Sequence, residues 1–145
     1  MKDAHDEVRF RVRYQETDRM GVVYHANHLV YFEVGRTELM RKRGIRYADI
    51  EKEGHVLAVT EARARFLGRV TYDDEIAVRT SIKPEGKTQV RFEYEVRVTG
   101  EERKVCDGYT LHVFLGPDGR PMRLPGAVRG VIERMQRGGG HEDGA

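Results

Sequence analysis

Polar and apolar residues alternate most cleanly over residues 89–98, with Val90, Phe92, Tyr94, Val96 and Val98 on one side and Gln89, Arg91, Glu93, Glu95 and Arg97 on the other. A period of two marks a strand with one face buried. The same period predicts strands over 8–14 (Val8, Phe10, Val12 and Tyr14 inward), 56–67, 75–82 and 104–115. In 56–67 the residues Val56, Ala58, Thr60, Ala62, Ala64 and Phe66 share a face; in 104–115 Val105, Tyr109, Leu111, Val113 and Leu115 share one, interrupted by Asp107. From His28 to about Arg43 the spacing becomes helical: Leu29, Phe32, Arg36, Leu39 and Arg43 form one stripe, with Val30, Val34 and Thr37 beside it. That apolar surface is wide near its start, which predicts cover on more than one side. Asn27 suits the N-cap and Gly44 the position just past the end. Gly35 inside the helix weakens it, which points to a close approach by another element.

Short helices are expected over 47–53 and 125–137, the second opened by Pro125. Pro84-Glu85-Gly86-Lys87, Thr99-Gly100-Glu101-Glu102 and Gly116-Pro117-Asp118-Gly119 read as turns. The order is strand, long helix, then four strands joined mostly by tight turns. That is an antiparallel sheet with one long helix, an α+β arrangement. A single domain over 1–137 and a disordered tail over 138–145 are expected.

Composition narrows the function classes. The 145 residues suffice for one core, and 39% apolar with 34% charged residues describe a globular chain. A net charge of +2, from 26 basic and 24 acidic residues spread along the chain, gives no footprint for nucleic acid. No stretch approaches the length of a membrane span and the first residues are too polar for a signal peptide, so a cytoplasmic location is expected. Cys106 is the only cysteine, which excludes an internal disulfide.

The stretch from Tyr14 to Asn27 fits none of these periods. It carries Glu16-Thr17-Asp18, then Gly21-Val22-Val23-Tyr24-His25-Ala26-Asn27, and leads straight into the helix. A carboxylate beside a helix N-terminus is a plausible catalytic arrangement. The acid attacks or activates water while free backbone N–H groups bind the developing negative charge. A loop aspartate is otherwise an exposed turn acid or a cap, and a turn glycine needs no further reason than its backbone. His25 either touches a substrate carbonyl or packs at the helix start. His25 and His28 at i, i+3 lack a third ligand nearby, so no metal is expected.

These residues resemble the hotdog-fold thioesterases, in the branch of 4-hydroxybenzoyl-CoA thioesterase and the YbgC-like acyl-CoA thioesterases. The likeness rests on Tyr14-Gln15-Glu16-Thr17-Asp18, Gly21-Val22-Val23-Tyr24-His25, Glu33 and Arg36-Thr37-Glu38, with a weaker match at Phe66-Leu67 and Tyr72-Asp73-Asp74-Glu75. It covers about residues 7–135. Glu16 stands where the family has aspartate, His28 where tyrosine is common, and Arg69 where proline is frequent.

The resemblance implies a hotdog fold, a long central helix wrapped by a five-stranded antiparallel sheet. It implies hydrolysis of an acyl-CoA thioester, with Asp18 as nucleophile or general base and amides near Tyr24 and His25 polarising the carbonyl. His25 assists, and Gly21, Val23, Tyr24 and Asn27 lie around the substrate. It further implies a homo-oligomer, a dimer or a dimer of dimers forming a homotetramer, and no cofactor, because CoA is part of the substrate. Related hotdog proteins act on acyl carrier protein thioesters or as dehydratases, and a non-catalytic acyl-binding module is a further alternative.

Overall fold

The computed structural model describes residues 1–138. The tail expected over 138–145 therefore lies outside the described residues, except Gly138, which ends the last helix. The elements are β1 (Asp6–Arg11), a single 3-10 turn (Tyr14–Glu16), α1 (Asn27–Lys42), α2 (Tyr47–Lys52), β2 (Val56–Phe66), β3 (Glu75–Glu85), β4 (Gln89–Val98), β5 (Arg103–Leu115) and α3 (Gly126–Gly138). The strands form one five-stranded antiparallel sheet in the order β1-β3-β4-β5-β2. Among the described residues no helix is long and apolar enough to cross a membrane.

α1 packs across one face of the sheet, touching β1, β2, β3 and β4. Its buried side is His28, Tyr31, Phe32, Gly35, Leu39 and Met40. The Phe32 ring stacks on Tyr94 of β4 with centroids 4.2 Å apart. Gly35 is the point of closest approach expected from the sequence: a Cβ there would lie 2.4 Å from Thr80 Oγ1 and 2.8 Å from Val78 Cγ1. The helix ends as its glycine predicts, with Gly44 N–H donating to Arg41 O (3.0 Å) and Ile45 N–H to Met40 O (2.8 Å). Arg43, on the expected stripe, is largely covered and pairs with buried Asp6 of β1 at 2.7 Å. Leu29 and Val30, also expected to be covered, are 41% and 47% exposed.

Several expectations are corrected. β1 stops at Arg11, and Tyr14, expected inward, is exposed because the chain turns into the 3-10 segment. In β2 the register shifts between Val59 and Glu61. A bulge exchanges the faces of a strand, so Val56 and Ala58 lie opposite in sense to Ala62, Ala64 and Phe66. In β5 Val105 is buried as expected, but beyond it the buried residues are Cys106, Thr110, His112 and Phe114, and not the expected Tyr109, Leu111, Val113 and Leu115. Thr110 pairs with Phe92 and His112 with Val90, so these polar residues share the helix-facing side of the sheet. Pro84 and Glu85 continue β3 instead of opening the turn. Pro125 precedes α3, its carbonyl accepting from Val128 and Arg129.

Candidate active site

The loop between β1 and α1 is held by Glu16, which is only 9% exposed. Its Oε1 accepts from Arg13 N–H (2.9 Å) and Tyr31 O–H (2.8 Å), and its Oε2 from Arg13 Nε–H (2.9 Å). Burial pushes this carboxyl up, but those three donors outweigh it and hold Glu16 below the usual carboxylate range. Its backbone carbonyl accepts from Tyr24 N–H and from Asn27 Nδ2–H, both at 2.9 Å. One residue thus binds the loop to the first turn of α1. Glu16, which stands where the family has aspartate, thus has a structural role that its place in the motif does not show; Tyr31, one helical turn past Asn27, is the residue that points to it.

Asp18 sits two residues on, in a tight turn. Its N–H donates to Val22 O (2.8 Å), and Gly21 N–H donates to Asp18 O (2.9 Å). Gly21 has φ +80°, with open space where a Cβ would be, so the turn itself requires glycine. The Asp18 carboxylate is half-buried and oriented by this turn: Oδ1 accepts from Met20 N–H (2.8 Å) and, longer, from Val22 N–H (3.4 Å). Oδ2 accepts no hydrogen bond among the described residues. Val23 is buried and donates its N–H to Val70 O at 2.8 Å. Bridges Thr17–Val23 and Val22–Thr71 close the loop on itself and on the segment before β3.

The helix start differs from expectation in two ways. Ala26, already helical in backbone angles, is the N-cap, and Asn27 is the first helical residue, its side chain spent on Glu16. The Tyr24 amide is also spent on Glu16. The amides of His25 and Ala26 have no acceptor among the described residues, so the open donor pair lies one residue later than expected. Asn27, His28 and Leu29 all donate to carbonyls three residues back, a tightened first turn.

Around this start lie aromatic rings. His25 is exposed, 4.5 Å from Tyr24 and 5.7 Å from Phe66 between ring centroids. His28 is buried against Phe66 and Tyr31, both at 5.6 Å, with Nδ1 unpartnered. Burial and the neighbouring His25 push its pKa down to about 4, so it is neutral at physiological pH. Tyr24, His25, Asn27 and Glu16 are thus brought together, while no hydrogen bond joins Asp18 to His25 among the described residues. Further along α1, Arg36 Nη1 donates to Tyr94 Oη (3.4 Å), and Glu38 pairs with Arg41. Cys106 is buried, and burial with nearby Asp107 pushes its thiol up to about 12, an unreactive state. Among the described residues no group of three or more His, Cys, Asp or Glu is placed to hold a metal.

A carboxyl group on a fixed turn, two free amides at a helix start and apolar rings beside them suit attack on an activated carbonyl. The chain is similar to known thioesterases. The chain is 27% identical over 119 residues to the acyl-CoA thioester hydrolase YbgC of Escherichia coli O6:H1, covering 81% of this chain and 88% of that one. It is 27% identical over 137 residues to the chloroplastic acyl-acyl carrier protein thioesterase ATL3 of Arabidopsis thaliana, covering 94% and 72%. YneP of Bacillus subtilis is 44% identical over 72 residues, and there the chain spans about half (52%) of its relative's length. A solved DHNA-CoA thioesterase from Staphylococcus aureus superposes with a TM-score of 0.83 at 27% identity, covering 92% of each chain. The family model of the thioesterase-like superfamily matches residues 12–132, and the chain belongs to that superfamily.

Proposed function

We propose that this chain hydrolyses an acyl-CoA thioester to the free acid and CoA. The observation that carries the reading is the pairing of an oriented Asp18, with Oδ2 open, and the unpartnered His25 and Ala26 amides within one loop. In one route a carboxylate oxygen of Asp18 attacks the thioester carbon, CoA leaves as thiolate, and water cleaves the resulting anhydride. In the other, Asp18 takes a proton from a water whose oxygen attacks the same carbon, and the C–S bond then breaks with CoA leaving as thiolate. In both, the carbonyl oxygen gains negative charge that the two amides and the helix dipole stabilise. His25 adds a hydrogen bond or orients water, and Gly21, Val23, Tyr24 and Asn27 shape the wall. The reaction needs no cofactor.

The likeness to YbgC and to the DHNA-CoA thioesterase supports CoA as the carrier. The likeness to ATL3 supports a second reading, an acyl group borne by acyl carrier protein. We also propose that two copies pair through β2. It is a sheet edge with an unpaired side among the described residues; Val56, Val59, Phe66 and Leu67 are exposed there, Phe66 lies against His28 of α1, and Leu29 and Val30 of α1 are exposed as well. Two such dimers would make the tetramer, with α1 then covered on both sides.

The test is thiol release from short, long and aromatic acyl-CoAs, run beside the same acyl groups on acyl carrier protein. Asp18→Asn should lose a hundredfold or more of the rate, the scale of a positioned acid or base. Full activity in Asp18→Asn would move the chemistry elsewhere. Turnover confined to the carrier-protein series would select the second reading.

A further inference from the structure

A chain of buried polar groups runs from α1 into the sheet, away from Asp18. Arg36 Nη1 donates to Tyr94 Oη at 3.4 Å. Tyr94 Oη lies 2.6 Å from Thr110 Oγ1, which lies 2.8 Å from His112 Nε2. A guanidinium only donates. Tyr94 is buried, and Thr110 is its one acceptor among the described residues, so its proton goes there. In the relay inferred below, Thr110 gives its own proton to His112 Nε2. His112 is thereby assigned the tautomer with its proton on Nδ1. That nitrogen is buried, has no partner, and belongs to a residue only 1% exposed.

His112 lines a cavity of about 180 Å³ together with Glu33, Arg36, Tyr47, Glu51 and Leu57. The Tyr47 hydroxyl there is a second buried polar atom whose proton has no acceptor; the nearby Arg36 guanidinium can only donate to it. Two unanswered donors in one cavity call for an oxygen acceptor, since a buried polar group left unpaired costs about 1–3 kcal/mol. Glu33 and Glu51 at the lining disfavour a carboxylate, and Arg36 disfavours a cation. A neutral hydroxyl meets both conditions. Arg36 follows the free amides by 10 or 11 residues, roughly 15 Å along the helix at its usual rise.

We infer that this cavity binds a hydroxyl group carried by the acyl chain far from the thioester, its oxygen accepting from His112 Nδ1–H and Tyr47 O–H. The inference rests on the thioesterase reading for its substrate, but the cavity is testable without turnover. Wild type should cleave ω-hydroxydodecanoyl-CoA with kcat/KM up to about tenfold above dodecanoyl-CoA, the worth of one or two hydrogen bonds. Tyr47→Phe removes a hydroxyl whose proton the free protein leaves without an acceptor. It should fold normally, keep the dodecanoyl rate and bring the ratio near one. Equal rates for the two esters in wild type, or a ratio unchanged in Tyr47→Phe, overturn the inference. If neither ester is cleaved, phenol and toluene titrations read by His112 ring NMR shifts decide. Phenol-specific shifts lost in Tyr47→Phe uphold the hydroxyl site, and equal responses to both probes overturn it.

Discussion

Glu16→Gln isolates the charge that holds the loop between β1 and α1. The substitution keeps the size of the side chain and an oxygen able to accept from Arg13 N–H and Tyr31 O–H, while removing the negative charge. Hydrogen bonds to a charged acceptor contribute about 1.5–3 kcal/mol and neutral ones about 0.5–1.5, so each retained bond weakens by about 1 kcal/mol. The third bond, from Arg13 Nε, reaches a side chain 66% exposed and adds little after solvent screening. The expected loss is about 2 kcal/mol at neutral pH, read as a lower urea midpoint with an unchanged slope. A second signature follows from the sign of the shift. Glu16 lies below its ordinary 4.5 when folded. Its contribution is present above the unfolded value and fades as pH falls through the folded one. The gap between wild type and mutant should therefore be constant above the ordinary 4.5 and narrow as pH falls below it. A gap under about 0.5 kcal/mol at pH 7, or one that widens in acid, would refute the hub role of this carboxylate. Because Glu16 O also holds Tyr24 and Asn27, thioester turnover should fall more steeply than stability in the same variant.

Gly35→Ala gains about 1 kcal/mol of helix propensity but drives a Cβ to 2.4 Å from Thr80 Oγ1. Overpacking of about 1–3 kcal/mol offsets that gain, so chemical denaturation should show net destabilisation of about 1 kcal/mol, and a more stable variant would contradict the close contact. His28 is held near pKa 4 against an ordinary 6.5, so it opposes folding increasingly as pH falls from 6.5 toward 4. His28→Tyr, which does not titrate there, should flatten the loss of melting temperature between pH 7 and pH 5, and an unchanged slope would count against the burial of a neutral imidazole. Val59→Lys places a charge in the exposed apolar edge of β2, and sedimentation should show smaller particles than wild type. Identical sedimentation would exclude β2 as the contact between copies.

The strands, the long helix and its glycines were legible because each rests on a local rule: period two, period 3.6, a glycine past the helix end. Glu16 was not legible, since its role depends on Arg13, Tyr31, Tyr24 and Asn27 converging on it from two elements. The same contact explains Asn27. Its residue type suits an N-cap, yet a carbonyl within reach claimed the side chain. The amide pair moved from Tyr24 and His25 to His25 and Ala26 for the same reason, because free donors are known only after every hydrogen bond is placed. In β2 the bulge after Val59 broke the alternation that had set its faces.

β5 failed in a more informative way. Its odd-numbered residues Leu111, Val113 and Leu115 are the more apolar set, yet the even-numbered Thr110, His112 and Phe114 face the core. Hydrophobic burial alone would choose the other register. The register is fixed instead by β4, whose Val90, Phe92 and Tyr94 must face α1 and which pairs Val90 with His112 and Phe92 with Thr110. The fold thus accepts two polar side chains in its core and satisfies them through Tyr94 and Arg36, leaving Nδ1 of His112 over. Local patterns that disagree with a fold tend to mark places where something besides stability is selected. A leucine at 112 would serve packing and leave nothing for a polar ligand to meet. His112 is thus the position where the mismatch between pattern and fold and the unanswered hydrogen-bond donor coincide, and both lead to a cavity that the hydrolytic step itself does not require.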